Sequence, residues 1–480
     1  MVVSFHIMRT EIRNHGKKHL EIRNNFPVTA EDRNRFSLHL WLFIPGSLGI
    51  NRQSYGAEGF FSDTKCLTRF SPLRMPLSEI LNPENPLSPI TRINRELKKP
   101  PGNEKRILYE LRSLANIYSS ETSAFSNMNN MERELTGVAA FLKEWRKLHS
   151  LFQNPALRDK LREAYIWADE SISLTTEELL YSMYEKLPGR GEESDTLTEK
   201  IQNMMNAEIA HRKEMNILFL QPESPQEEVE HRIYRNSILK KWSHSVLYLT
   251  REKSSSGKRW EHILAGVAAA TAMSVAVIAT ILDQIFFPGE RIPWVVIVII
   301  AYIFKDRIKE VLRKGLMKSF HRVIADELIY LVDQATGKKA GKIKSQVQFR
   351  KFSGIPREIR QLRHTLKNPF RNMLPEEDVI YFEREFFISN KTLRKAHTRL
   401  NTLTDIIRFK LDRILNEMDA PEKRIPSFAF DPPRRIRGKR NYHLYLIVSF
   451  HGQSKAEKNR SLYRLTVSRK GIERIRLISP

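Results

Sequence analysis

The sequence predicts an α+β fold, predominantly helical, organised as a membrane protein. A two-helix transmembrane hairpin sits in the middle of the chain, with β-rich segments at both ends. Three observations predict it. The 20 residues from Ile263 to Leu282 (ILAGVAAATAMSVAVIATIL) carry no charge and match the ~30 Å hydrocarbon core of a bilayer. A second apolar run, Trp294 to Phe304, follows the turn DQIFFPGERIP. Alternating β-branched and aromatic segments lie near both chain ends.

Taken in order, residues 1–99 read as a β-rich cytosolic region. Phe5 and Ile7 alternate with polar neighbours, as do Leu20 and Ile22, around a turn at Asn14–Lys17. FSLHLWLFI, Phe36 to Ile44, is a strand ended by Pro45-Gly46. Prolines between 71 and 101 mark an extended linker. Residues 100–252 read as a helical cytosolic region with candidates near 104–119, 130–153, 156–170, 175–187, 196–219 and 225–252. The last begins with Ser224 as cap, Pro225 at the first helical position and Glu227, a capping box.

Residues 260–304 form the hairpin, with spans at about 263–283 and 292–305 and with Trp260 and Trp294 near its ends. The run from Ile292 to Phe304 covers only about 20 Å, so a re-entrant segment competes with a full crossing. Arg251, Lys253, Lys258 and Arg259 precede the hairpin, and Lys305, Arg307, Lys309, Arg313, Lys314 and Lys318 follow it. Positive-inside counting then places a multi-pass protein in the cell (inner) membrane with both termini cytoplasmic. Small residues stack four apart as Gly266, Ala270 and Ser274 and as Ala268, Ala272 and Ala276, faces on which helices approach closely in a membrane. Asp283 at the outer end is the candidate pore residue.

Residues 305–420 are read as a helical juxtamembrane and heptad-patterned region, the second span continuing as helix to about Gln334. Gly337 to Phe352 reads as a turn and a short basic strand. From Val379 the apolar line runs through Phe382, Phe386, Ser389, Leu393, Ala396, Leu400, Leu403 and Ile407 in steps of 3 and 4. That period suggests a coiled-coil seam, with a protein partner or self-association through 375–418, or else an amphipathic helix on a local core. Residues 430–480 are a basic arm and a β meander, with strands at Tyr442–Phe450, Ser461–Ser468 and Ile472–Ile478. Pairing between the N-terminal strands and these would close one β unit from both chain ends.

The chain has 480 residues and a formal net charge of +25, of which residues 351–480 hold 29 basic and 14 acidic side chains. A basic half of this kind faces a polyanion, anionic lipid or nucleic acid. Arg434, Arg435, Arg437, Lys439 and Arg440 concentrate the charge beside Tyr442 and Tyr445. With a bilayer close by, anionic headgroups are the favoured reading for this arm, a plain solvated charge run comes next, and single-stranded nucleic acid is the third.

The single cysteine, Cys66, excludes an internal disulfide and any Cys-based zinc site, and reads as a packed thiol. Glu208/His211 and Glu228/His231 repeat a Glu-x-x-His spacing used by bundle metal sites, but in charged surroundings that suit a solvated face, and no cofactor is expected. Gly337 to Lys342 (GKKAGK) resembles a phosphate loop, yet it is one residue short and Ile343 replaces the required Ser or Thr. No Gly-x-Ser-x-Gly, His-Glu-x-x-His or paired-cysteine signature occurs. These absences favour a non-catalytic anchor, scaffold or regulatory protein. The alternatives are a subunit of an oligomeric two-span channel or transporter, and a membrane-tethered enzyme without a recognisable motif.

Overall fold

The computed structural model describes residues 10–72, 74–99, 103–125, 130–187, 192–254, 256–286, 291–320, 325–334, 336–364, 376–397, 399, 402–452 and 458–479. The chain opens with β1 (Thr10–His15), β2 (His19–Pro27), β3 (Arg33–Ile44), α1 (Gly56–Asp63) and β4 (Thr64–Phe70). A helical stretch follows: α2 (Leu77–Leu81), α3 (Pro89–Leu97), α4 (Glu104–Thr122), α5 (Met131–Lys147), α6 (His149–Phe152), α7 (Asp159–Glu185), α8 (Glu192–Glu214) and α9 (Gln226–His244). Next come β5 (Thr250–Lys253), α10 (Ser256–Phe286), α11 (Arg291–Phe320), β6 (Glu327–Val332), β7 (Lys339–Lys351) and α12 (Arg357–His364). The chain then passes through β8 (Asp378–Ser389), α13 (Asn390–Ala396), β9 (Thr402–Lys410) and α14 (Asp412–Asn416). It ends with β10 (Glu422–Ser427), β11 (Arg434–Lys439), β12 (Tyr442–His451), β13 (Lys458–Ser468) and β14 (Gly471–Ser479).

Both chain ends meet in one antiparallel sheet of order β14-β13-β12-β3-β8-β7-β6-β5. A smaller sheet, β1-β2-β9-β4, packs on one face of it. The alternation of β3 explains the packing. Phe36, Leu38, Leu40 and Leu42 point to the shared core, where Phe26 of β2 meets Phe36 and Phe386 at ring distances of 5.1 and 5.2 Å. Arg35, Ser37, His39 and Trp41 point the other way. Helices α2 to α9 pack around a second core that includes Leu111, Tyr118, Trp145 and Tyr165.

Gly471 fixes one corner of the sandwich. Its φ is +142°, and a Cβ there would lie 2.3 Å from the Lys17 carbonyl oxygen. The Ile472 amide donates to that same oxygen at 2.7 Å, so the β1–β2 turn is stitched onto the start of β14. Gly471→Ala is expected to lower stability by about 1–3 kcal/mol through backbone strain. An unchanged urea midpoint would show that the corner relaxes freely.

The structure corrects the membrane reading. Among the described residues one helical segment, His262–Leu282, is long and apolar enough to cross a membrane, with a mean hydropathy of 2.1. In α11 the apolar run gives way at Lys305-Asp306-Arg307 before a crossing is complete. The two-helix transmembrane hairpin is therefore not supported, nor is a multi-pass inner-membrane protein. One crossing cannot return both termini to the cytoplasmic side. The helices pack on each other instead. Ala268 and Ala272 are fully buried, whereas Gly266, Ala270 and Ser274 are exposed. Asp283 falls in the last turn of α10, its side chain outside those described.

The coiled coil falls as well. The heptad-patterned segment is strand, short helix and strand: β8, α13 and β9. β9 is buried on both faces over most of its length and β8 over Asp378–Phe382, so apolar side chains there occur at steps of 3 and 4 without a helix. β8 is paired on both sides, by β3 and β7. The helix expected to reach Gln334 ends at Phe320, and β6 follows it. The proline-rich stretch before residue 101 holds α2 and α3. The strand expected around Phe5 and Ile7 lies outside the described residues.

Candidate nucleic-acid interface

The outward face of the large sheet is polar, aromatic and cationic. Its register places side chains in rows across the strands. One row runs Tyr330, Lys342, Phe387, Arg35 over β6, β7, β8 and β3, alternating ring and cation. With strands ~4.8 Å apart this row spans about 14 Å. The next row holds Lys344, Glu385, Ser37 and His451, and the one after it Gln346, Glu383, His39 and Ser449. Then come Gln348, Tyr381, Trp41 and Ile447.

Phe387 gathers three cations. Arg35, Lys342 and Lys344 lie 5.1, 5.0 and 5.6 Å from its centroid. Lys339 sits 4.3 Å over Tyr330. Tyr330, Lys339, Lys342, Phe387 and Arg35 line a groove of about 440 Å³ with Arg33 and Ser389. Gly341 shapes its floor, since a Cβ there would stand 2.5 Å from the Phe387 carbonyl oxygen. β7 can press against β8 at this point only without a side chain. Further along the face, Trp41 stacks on Tyr381 at 4.1 Å, and Arg350 lies 5.6 and 5.2 Å from their rings. The Tyr381 hydroxyl contacts His39 Nδ1 at 2.7 Å and donates to Glu383 at 3.0 Å. Burial lowers the pKa of His39, with Glu385 acting the other way. Ile355 and Ile359, next to and within α12, cover the far end of the face over Trp41 and Phe43.

The carboxylates in these rows are Glu383 and Glu385. Glu385 bonds Arg35 at 2.6 Å, and Glu383 accepts from Tyr381. Among the described residues, Lys339, Lys342 and Lys344 are directed at rings rather than at carboxylates. A cation resting on a ring is held by about 0.5–1 kcal/mol at an exposed site, so a phosphate oxygen readily draws it away.

The residues singled out in the sequence have other surroundings. Glu208 is buried in the helical layer, where it accepts from Arg146 and, at 2.7 Å, from Ser173 Oγ. His211 Nε2 lies 2.7 Å from Asp169. Glu228 and His231 are exposed on α9, and Glu228 takes the Ser224 hydroxyl at 2.8 Å. The two pairs are not brought together. Among the described residues no group of three or more His, Cys, Asp or Glu is placed to hold a metal. Cys66 is buried, which pushes its thiol up to about 11. Arg434, Arg435, Arg437, Lys439 and Arg440 form and follow β11, in a separate two-stranded ribbon.

One buried constellation looks catalytic at first sight. Asp333 Oδ1 lies 2.5 Å from His397 Nε2, and His397 Nδ1 lies 3.0 Å from the Tyr109 hydroxyl. Although burial opposes it, hydrogen bonds from His397 and Thr336 hold Asp333 below the usual carboxylate range. The void beside Tyr109 measures about 10 Å³, no more than one water needs. The trio joins the helical layer to the sandwich; a substrate has no room there.

Comparison with protein-family models, with curated proteins and with solved structures returned no match. Function is therefore read from the sheet face itself. Sequence reasoning missed Phe387, Arg35 and Tyr330 as site residues because the groove joins segments about 300 residues apart. The one signal within reach was the GKKAGK segment, whose Lys339, Gly341 and Lys342 line the groove.

Proposed function

We propose that this chain is a non-catalytic binding protein that takes single-stranded nucleic acid on the outward face of its large sheet. The observation that carries the reading is the row Tyr330, Lys342, Phe387, Arg35, with rings and cations at alternating strands. Aromatic faces accept any base by stacking, and the intervening cations suit the phosphates between bases. The chain's charge of +25 adds long-range attraction for such a ligand. Nothing in this arrangement reads base edges, so it favours strandedness over sequence.

The test is fluorescence anisotropy of labelled 15-nucleotide thymidine and uridine oligomers, titrated with the full chain between 50 and 300 mM salt. Saturable binding is expected, with a log–log salt slope of about −2 to −3 for three to four neutralised phosphates. No saturation with either oligomer at 50 mM salt, beside firm binding to vesicles of anionic lipid, would overturn the reading.

A further inference from the structure

Strands β10 and β11 pair only with each other among the described residues, as a ribbon outside both large sheets. Six residues per strand at ~3.3 Å give it a length of about 20 Å. Its base is fixed: the Arg440 amide donates to the Pro421 carbonyl at 2.8 Å, and Lys470 bonds Glu422 at 3.0 Å. Beyond that base the ribbon is exposed on both faces. Arg424 and Arg435 project from one face and show no ion pair among the described residues. Ile425 and Ile436 are opposite each other on the other face, 58% and 47% exposed, and Phe428 at the tip is 83% exposed. Residues 421–440 hold seven cations against two carboxylates.

We infer that this ribbon is a second binding element, for double-stranded nucleic acid flanking the strand held by the sheet. The inference rests on the nucleic-acid reading above. A two-stranded ribbon fits a duplex groove in width. Unpaired arginines along its length suit the phosphates that border a groove, and an aromatic tip beside prolines suits insertion between base steps. The ribbon leads directly into β12, at the end of the sheet opposite the Phe387 groove: β12 begins at Tyr442, whereas Arg35 lies beyond the Ser37–His451 pair at its other end. A ligand with a duplex joined to a single-stranded tail is thus engaged at two places, and tethering raises its affinity over either part alone.

The experiment compares three probes on the full chain: a 15-nucleotide single strand, a blunt 20-base-pair duplex, and a fork joining the two with 2-aminopurine at the junction. The fork is expected to bind at least tenfold more tightly than the single strand, and its 2-aminopurine emission to change on binding. The variant R424A/F428A/R435A is expected to lose that tenfold gain and the emission change while keeping single-strand affinity within twofold. These positions are exposed, so folding is preserved, which circular dichroism checks. Equal fork affinity for variant and parent overturns the ribbon inference alone. Failure of the single strand to bind overturns the reading on which it rests. Retained binding of the variant to nucleic acid, with lost binding to phosphatidylglycerol vesicles, would assign the ribbon to a lipid surface instead and overturn the inference.

Discussion

Arg384→Ala is expected to destabilise the sandwich by about 3–5 kcal/mol, a large share of the 5–15 kcal/mol typical of a folded domain. Arg384 lies on β8 and Asp405 on β9, so their 3.0 Å ion pair crosses between the two sheets. Neither side chain is exposed. Burial works against the charge, yet Asp405 beside it holds Arg384 above its ordinary pKa. The Thr68 hydroxyl donates to Asp405 at 3.1 Å, and Arg384 donates to Ser345 Oγ at 3.3 Å. Removing either partner leaves the other charge inside an apolar core without compensation. Asp405→Asn should therefore cost nearly as much as Arg384→Ala. The double variant Arg384→Met with Asp405→Leu should recover most of the loss, because no charge remains to be desolvated. Urea unfolding of the three variants measures this. If the single variants unfold at the parent's midpoint, the pair is not what couples the sheets.

How much of this was legible in the sequence differs by element. β3, β12, β13 and β14 follow segments in which one side of the strand is apolar and the other mixed, so period 2 was visible. β8 and β9 hid because they lie at the centre of the molecule. On β8, Ile380, Phe382 and Phe386 enter the sandwich core while Val379 and Tyr381 meet α12 on the other face. With both faces apolar over Val379–Phe382, residue type was the better guide: VIYFEREFFIS is rich in β-branched and aromatic side chains.

The hairpin was over-read for a different reason. Composition located α10 correctly as an apolar helix. The length of α11, however, could not stand in for the missing apolar residues after Phe304. The Glu-x-x-His pairs show a third limit. Spacing puts Glu208 and His211 on one helix face, but it cannot show that Arg146 and Asp169 already occupy them.

Phe387→Ala is expected to weaken single-strand binding by roughly 5- to 150-fold, the 1–3 kcal/mol of one stacked base. The ring is partly exposed and points away from the sandwich core, so its removal leaves the sheet intact. Phe387→Trp should retain or raise affinity, since a larger π-face stacks at least as well. The lysines are separable from the ring by salt. Lys342→Ala with Lys344→Ala removes two cations that rest on Phe387, and the log–log salt slope should become shallower by about 1.4. Phe387→Ala should leave that slope nearly unchanged, because it removes no charge. The two variants thus report stacking and charge independently on one surface. A lysine effect without a Phe387 effect would describe a protein that holds phosphate backbones anywhere along its basic surface. A Phe387 effect at constant slope, beside the lysine effect, requires a base on that ring with a phosphate at the neighbouring strands, which is the register the row of Tyr330, Lys342, Phe387 and Arg35 sets.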